Sequence, residues 1–506
     1  MRERITYIQK QGDTLEASSL SISPASLSGP SIRAVREDRL TLGEDELPAE
    51  LRSLLKEIHE LHVRWVSPVA YETVSPLLAR LPAGFHLFYT PSGGVGGDGV
   101  HSTRLCTALQ TVFGSIACST PGESFTSLPA DRFSHAAAMQ YFQPLEGLDS
   151  FVGYVKGKKV CGEEPSCLAR VDDLKDASAL DVSWDAISHA LKVTAFWAYG
   201  EKRVEAVAWR EGVRTEVGVL SDEKTPTMEA HELGISGLLT VLGQDGKPSV
   251  TMFSFPSRHR DAGIKFQAGF VTPTGLHPSL RVTVGSNRPP VGEDEAYCAP
   301  HAYLTLPRGV FVDKYQLADG LFLASKNLTA LRYVSQPVDL EAPEYVMKLW
   351  GSAVLVELTS PPYEAGEKER EWTAEIPMHL RYHAPAHGGY KTLEVPYPAV
   401  FWACAAEEGT KFPNNPFERV NLGYDGLFGP RTVFWHLEPR PVEGERVVSR
   451  ITVPVLDLDK AGWVNVGTAA AVLLGFGWVV WKLLAVYLAT GYGAATTEKE
   501  KEKKRQ

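Results

Sequence analysis

For most of its 506 residues this chain has no long apolar run. The N-terminus, MRERITYIQKQGD, carries charges and no apolar core, so no cleavable export signal is expected there. An excess of basic residues is also missing. The net charge is −10 and the acidic residues are spread throughout, which argues against a nucleic-acid-binding protein. No H-E-x-x-H, G-x-S-x-G or P-loop pattern occurs, and no nucleophile, base and oxyanion site can be assembled from the residues, so no cofactor is expected. Internal repeats are absent, and the one low-complexity segment is the charged tail.

What is present is concentrated at the end. From Val464 to Trp481 no side chain is charged, and after Lys482 the apolar run resumes as LLAVYLATGY. At about 1.5 Å per residue this first stretch makes a helix of roughly 27 Å, close to the hydrocarbon thickness of a bilayer. Trp463 lies at one end and Trp478, Trp481 and Tyr487 at the other, as an aromatic belt requires, and Lys482 can reach the headgroups. A core helix is rarely apolar on every face for so long, so residues 464–490 are expected to form one transmembrane helix. Gly467, Ala471 and Gly475 recur every fourth residue, a small-residue stripe along which another membrane helix could approach.

The tail, residues 493–506, ends in TTEKEKEKKRQ, with five basic and three acidic residues. Basic flanks prefer the cytosol, which puts the bulk of the chain in a lumen. Lys503 and Lys504 resemble the dilysine signal that returns membrane proteins to the endoplasmic reticulum. A tail-anchored cytosolic protein is the competing topology. All six cysteines precede the span. Cys106 and Cys118 are neighbours in sequence, as are Cys161 and Cys167, which leaves Cys298 and Cys404 as a third pair. In an oxidising lumen all six can pair, in several connectivities, whereas in the cytosol they would be buried thiols. Asn327-Leu328-Thr329 is the one glycosylation sequon and has meaning only in a lumen.

Upstream, RITYIQ alternates as a strand. A helix opening at Pro48 aligns Leu51, Leu54, Leu55, Ile58 and Leu61, and another is expected over Thr103–Phe113. Strands are expected at His62–Val66 and Phe85–Tyr89. Beyond about residue 180 the chain becomes a series of short strand candidates, among them Leu191–Trp197, Val204–Trp209, Ile264–Phe270, Leu280–Val284, Val354–Leu358 and Thr432–His436. The expected fold is therefore a mainly β lumenal region, an antiparallel sandwich, with an α/β N-terminal extension and one C-terminal transmembrane helix. Residues 1–265 and 266–460 are its two expected parts, with Lys224–Ala230 and Gly243–Lys247 as exposed loops.

Three patterns invite chemistry. Residues 94–99, GVGGDG, match a dinucleotide loop but lack the acidic partner and the β–α alternation, so they read as a surface loop. Asp457-Leu458-Asp459 has the D-x-D form of some glycosyltransferases, yet no further oxygen ligands are identifiable, and solvated strand carboxylates are expected. His379, His383 and His387 are spaced by four, but Pro377 and Pro385 break a helix, and the segment MHLRYH reads as strand.

Several stretches in fixed order carry a resemblance. They are Leu276-His277 and the strand Leu280–Val284, Cys298, LTLPRGVFVDKYQL at Leu304–Leu317, Asn327, VDLEAPEY at Val338–Tyr345, HLRYHAPAHGGY at His379–Tyr390, VPYPAVFWAC at Val395–Cys404, and the span. Together they resemble the PIG-X family. The N-terminal half, with LPAEL, ELHVRWVSP and ISHALKVTAFWA, resembles the extension of its fungal branch, the protease B nonderepressible proteins. The resemblance implies a single-pass type III glycoprotein of the endoplasmic reticulum membrane, with its bulk lumenal and its tail cytosolic. It implies an accessory subunit, not an enzyme. Such a subunit stabilises the multi-span catalytic mannosyltransferase that adds the first mannose to the glycosylphosphatidylinositol (GPI) anchor precursor, and it supports the folding of some other proteins of that compartment. A general lumenal membrane chaperone for secretory and vacuolar proteins, and a lumenal glycosyltransferase, are the alternatives.

Overall fold

Two large sheets dominate a computed structural model that describes residues 1–490 except 94–98, 100, 130–138, 159–164, 209–212, 224–227, 229–231, 292–296, 336–338, 365, 414, 418 and 420–421. The first sheet is twelve-stranded. Across it run Ser249–Pro256, Glu232–Val241, Arg214–Glu223, Arg2–Gln9, Ser26–Gly43, Ala190–Val207, Ala179–Asp185, Ile58–Val66, Gly84–Pro91, Met139–Gln143 and Thr126–Ser127, with Ser21–Ile22 paired off Ser26–Gly43. All neighbours are antiparallel except Arg2–Gln9 against Arg214–Glu223. The second sheet has eight strands, in the order Leu328–Val334, Gly351–Leu358, Cys298–Pro307, Ala399–Ala405, Thr432–Pro439, His259–Phe270, Ser279–Val284 and Trp372–Pro377. Here the parallel pair is Thr432–Pro439 with His259–Phe270. The helices are α1 (Ala49–Leu55), α2 (Arg104–Phe113), α3 (Pro121–Ser124), α4 (Asp149–Gly157), α5 (Pro165–Asp172), α6 (Gly320–Ser325) and α7 (Ala461–Thr490). The protein is thus mainly β, with an α/β N-terminal region and a C-terminal apolar helix.

Burial follows the sequence pattern. In Ser279–Val284 every second residue is apolar, and Leu280, Val282 and Val284 are fully buried. Gly351–Leu358 and Cys298–Pro307 are buried along nearly their whole length, the signature of strands covered on both faces. One core cluster joins Phe85, Tyr141 and Trp184 of the first sheet to Tyr303, Leu355, Phe401 and Phe434 of the second. Polar bonds cross the same seam. Gln140 Nε2 donates to the Tyr303 hydroxyl at 2.9 Å, and the Trp350 indole N–H donates to the Gln140 carbonyl at 2.9 Å. Gly423, at φ 84°, lets the backbone pass so close that a Cβ would lie 2.4 Å from the Tyr303 hydroxyl.

Three expectations change in detail. The helix opening at Pro48 ends at Leu55, and Ile58 and Leu61 belong to the strand Ile58–Val66. They stay buried, because this strand pairs on both sides, with Gly84–Pro91 and Ala179–Asp185, and that outweighs continuation of the helix. Leu191–Trp197 and the strand expected from Val204 are one strand, Ala190–Val207, since Arg33, Ile32 and Ser31 pair with the polar Glu201, Lys202 and Arg203. Residue 265 falls inside His259–Phe270; the chain changes sheet between Pro256 and His259. Gly243 lies in a turn with φ 75°, and Lys224–Ala230 falls almost wholly outside the described residues.

The chain divides into two compact units. Met1–Arg381 with Glu394–Ile451 contains both large sheets, and Tyr382–Leu393 with Thr452–Gln506 contains α7.

Candidate functional site

The helix α7 runs thirty residues with Lys482 as its one charged side chain. Leu458–Ala489 is the one helical stretch among the described residues long and apolar enough to cross a membrane, and none of its most apolar window is buried. Trp463, Leu474, Phe476 and Leu488 are all more than half exposed. Lys482 Nζ lies 4.9 Å from the Trp478 ring and 5.0 Å from the Trp481 ring, a cation held at an aromatic girdle. Along the stripe of Gly467, Ala471 and Gly475, a Cβ at either glycine would meet nothing within 4 Å.

A knot of polar contacts precedes the helix within the same unit. Ala386 N–H donates to the Leu456 carbonyl at 3.1 Å, and Leu458 N–H to the Ala386 carbonyl at 3.1 Å. The Asp457 carboxylate caps the following turn by accepting from Asp459 N–H at 3.0 Å, and it pairs with Lys460 at 3.3 Å. That backbone bond holds the Asp457 carboxyl below its usual range. Asp459 bonds His387 Nδ1 at 2.9 Å. The D-x-D carboxylates therefore work as a turn cap and a histidine partner, on a 3₁₀ turn instead of the expected strand, which ends at Pro454. Of MHLRYH only His379–Leu380 is strand. His379 bonds His277 and Gln316 at 3.0 and 3.1 Å, and burial holds its imidazole below the usual range. Among the described residues no three His, Cys, Asp or Glu side chains are grouped so as to hold a metal ion.

Inside the large unit, several buried charges are paired. Arg64 lies 3.4 Å from Asp181, and Arg419 bridges Asp181 and Glu37. His259 Nδ1 and His436 Nε2 are 2.9 Å apart, so one ring donates to the other and both are neutral. Burial pushes His259 down to about 3 and His436 well below its ordinary value. This ring-to-ring bond fastens His259–Phe270 to Thr432–Pro439 beside their parallel pairing.

Sequence reasoning missed a cleft of about 560 Å³ lined by Tyr297, His301, Arg332, Tyr333, Glu357 and Phe428. Arg332 pairs with the buried Glu357, whose carboxylate lies 3.7 Å from His301 Nε2. Burial pushes His301 down to about 4. These residues come from three strands and two loops and share no sequence spacing, so no motif announced them.

Cys106 is bonded to Cys118, with Cα atoms 5.4 Å apart. Cys298 is bonded to Cys404, at 4.1 Å, where the two face each other in register on neighbouring strands. Cys167 is also disulfide-bonded, while Cys161 lies outside the described residues. Asn327 is exposed at φ 55°, with its side-chain amide donating to the Thr373 carbonyl at 2.8 Å. Lys503, Lys504 and residues 94–98 also lie outside the described residues.

Fold and site together define a β-rich protein body on a chain with one helix, among the described residues, long and apolar enough to cross a membrane. The chain belongs to the PIG-X / PBN1 family. The family model, described as "PIG-X / PBN1", matches residues 273–484. Protein pbn1 of Neurospora crassa is 59% identical over 97% of each chain. Protein PBN1 of Gibberella zeae is 46% identical over the whole of both chains. Protein PBN1 of Yarrowia lipolytica is 28% identical over 72% of this chain and 73% of its own.

Proposed function

We propose that this protein is the non-catalytic subunit that stabilises the catalytic subunit of glycosylphosphatidylinositol mannosyltransferase I, the enzyme that adds the first mannose to the GPI-anchor precursor. The observation that carries this reading is membership of the PIG-X / PBN1 family along nearly the full length of the chain. Two features support it. Asp457, Asp459, His379 and His387, which the sequence singles out, are engaged with neighbours, and none of the most apolar window of α7 is buried. In this reading α7 anchors the protein in the endoplasmic reticulum membrane, with the sheets in the lumen, the basic tail in the cytosol, and Lys503 and Lys504 serving retrieval. Stabilisation works by mass action, because a subunit that binds only the folded enzyme stabilises it with the logarithm of its saturation. A change of about 1–2 kcal/mol shifts cellular abundance several-fold.

The test is depletion of this protein in cells, with the catalytic subunit followed by immunoblot and its turnover assayed in microsomes. A several-fold fall in enzyme amount at constant transcript, with unchanged turnover per remaining enzyme, is expected. Normal enzyme levels overturn the reading. Broad loss of unrelated secretory proteins would instead favour the general chaperone. Replacing Asp457 and Asp459 by Asn is expected to leave mannosyl transfer intact, and its loss at normal enzyme abundance would restore the glycosyltransferase reading.

A further inference from the structure

The first sheet and the helices above it do not close on each other. Across four strands the register sets Leu40 beside Val193, Val193 beside Val182, and Val182 beside Val63, an unbroken apolar row. Leu42 and Leu191 form the next pair. Over this floor lie α1 with Leu51 and Leu55, α2 with Ala108 and Val112, and α4 with Phe151 and Val155. Between floor and roof is a cavity of about 330 Å³. Leu40, Leu42, Val182 and Val193 below it, and Leu51, Ala108, Val112 and Val155 above it, are only half buried, because the space is open on one side.

Such a space does not stay empty without cost. An apolar cleft leaves its lining without dispersion partners, and even a closed dry cavity of about 150 Å³ takes up benzene. Water has little to bind here, because the lining is almost wholly apolar. The charged groups at the margin are already paired. Arg170 bonds Glu3 and Asp38, Arg39 bonds Glu37 at 3.0 Å, and Lys158 bonds Glu50 at 2.9 Å. The cavity therefore offers dispersion contacts and no free charge, which excludes sugars, nucleotides and phosphate as occupants of its interior. The same chain carries α7, so bilayer lipids are at hand as a source.

We propose that this cavity binds one acyl chain of a lipid, lying along the row Leu40–Val193–Val182–Val63 beneath α1, α2 and α4. The proposal goes beyond the stabilising role and does not depend on it. To test it, the full chain is reconstituted in phosphatidylcholine nanodiscs with a diazirine-bearing palmitic acid, irradiated, and its labelled peptides mapped. Labelling of peptides containing Leu105–Phe113 and Phe151–Val155, besides those of α7, is expected, with at least a tenfold reduction by excess unlabelled oleic acid. Ala108→Trp, which fills the cavity from the α2 side, is expected to remove the label from these peptides and leave that of α7 unchanged. Should this variant fail to fold, the oleic acid competition on the unaltered chain decides the matter. Mass spectrometry of lipid extracted from the detergent-purified chain distinguishes a phospholipid from a free fatty acid. Absence of label in the α2 and α4 peptides at saturating probe, or label that oleic acid does not displace, overturns the proposal. Protection of these peptides only when another protein co-purifies would assign the cavity to a protein segment, which also overturns it.

Discussion

Trp350 is the side chain on which the union of the two sheets is most open to measurement. Its ring is 5% exposed, sits 5.6 Å from Phe142, and its N–H donates to the Gln140 carbonyl at 2.9 Å. Trp350→Ala removes the ring and opens a cavity at the seam, a change that costs about 3–5 kcal/mol. The unit that contains both sheets spans roughly 440 residues, so at about 2.1 cal/mol/K per residue its unfolding entropy is about 0.9 kcal/mol/K. If both sheets unfold together, the thermal midpoint falls by about 3–5 °C. If each unfolded alone, half the entropy would carry the same loss, and one transition would fall by about 7–11 °C while the other stayed. Differential scanning calorimetry of the full chain in nanodiscs separates these outcomes. One transition with the smaller shift is expected. Two resolved transitions, only one of them moved, would refute the shared core as the structural unit. Trp350→Phe keeps most of the packing and is expected to cost only the hydrogen bond and the lost ring volume.

Acid is expected to destabilise the body at pH values well above the carboxylate range. Burial holds His62 and His259 down to about 3 and His86 to about 4, so the unfolded chain binds protons below about pH 6.5 that the folded chain refuses, and stability falls by about 1.4 kcal/mol per pH unit for each. Equal thermal midpoints at pH 7 and pH 5 would contradict this. Replacing Cys298 and Cys404 by Ser opens a crosslink between residues 106 apart and is expected to lower stability by about 2–4 kcal/mol, read as a lower denaturant midpoint. An unchanged midpoint would show that the bond adds nothing. The lumenal topology predicts that endoglycosidase increases the mobility of the wild-type chain and that Thr329→Ala abolishes the shift. That substitution removes the sequon and keeps the asparagine that tolerates φ 55° at position 327. A wild-type chain unaffected by the enzyme opposes that topology or leaves the sequon unglycosylated; labelling of Lys503 from the lumenal side of sealed microsomes separates the two.

Elements whose pattern is local were legible in the sequence. The apolar run became α7, the spacing of Leu105, Leu109 and Val112 became α2, and alternation placed Arg2–Gln9 and Ser279–Val284. Where tertiary pairing decides, the sequence was silent. Ile58 and Leu61 fit the apolar stripe of α1 as well as they fit a strand, and only two flanking strands choose between them. Gly200-Glu201-Lys202-Arg203 is polar and separates two strand candidates in the sequence, and only its antiparallel partner joins them into one strand. The cleft at His301, Arg332 and Glu357 is built from side chains distant in sequence, and the acyl-sized cavity from residues that read as ordinary core. Half-burial of an apolar residue has no signature in one sequence.

The length of α7 carries a consequence for what must surround it. Thirty residues at about 1.5 Å each run about 45 Å, against a hydrocarbon layer of about 30 Å. Fitting the whole helix by tilt alone needs about 48°, beyond the range of about 0–40° seen for membrane helices. Lys482, held between Trp478 and Trp481, marks one interface instead, and Ala461–Trp481 then covers about 31 Å by itself. Beyond that interface Leu483, Leu484, Val486 and Leu488 continue the helix with exposures from 50% to 81%. More than a helical turn of apolar surface then lies in the interfacial zone, which widens a bilayer to about 40–45 Å and so takes up a helix of this length without steep tilt.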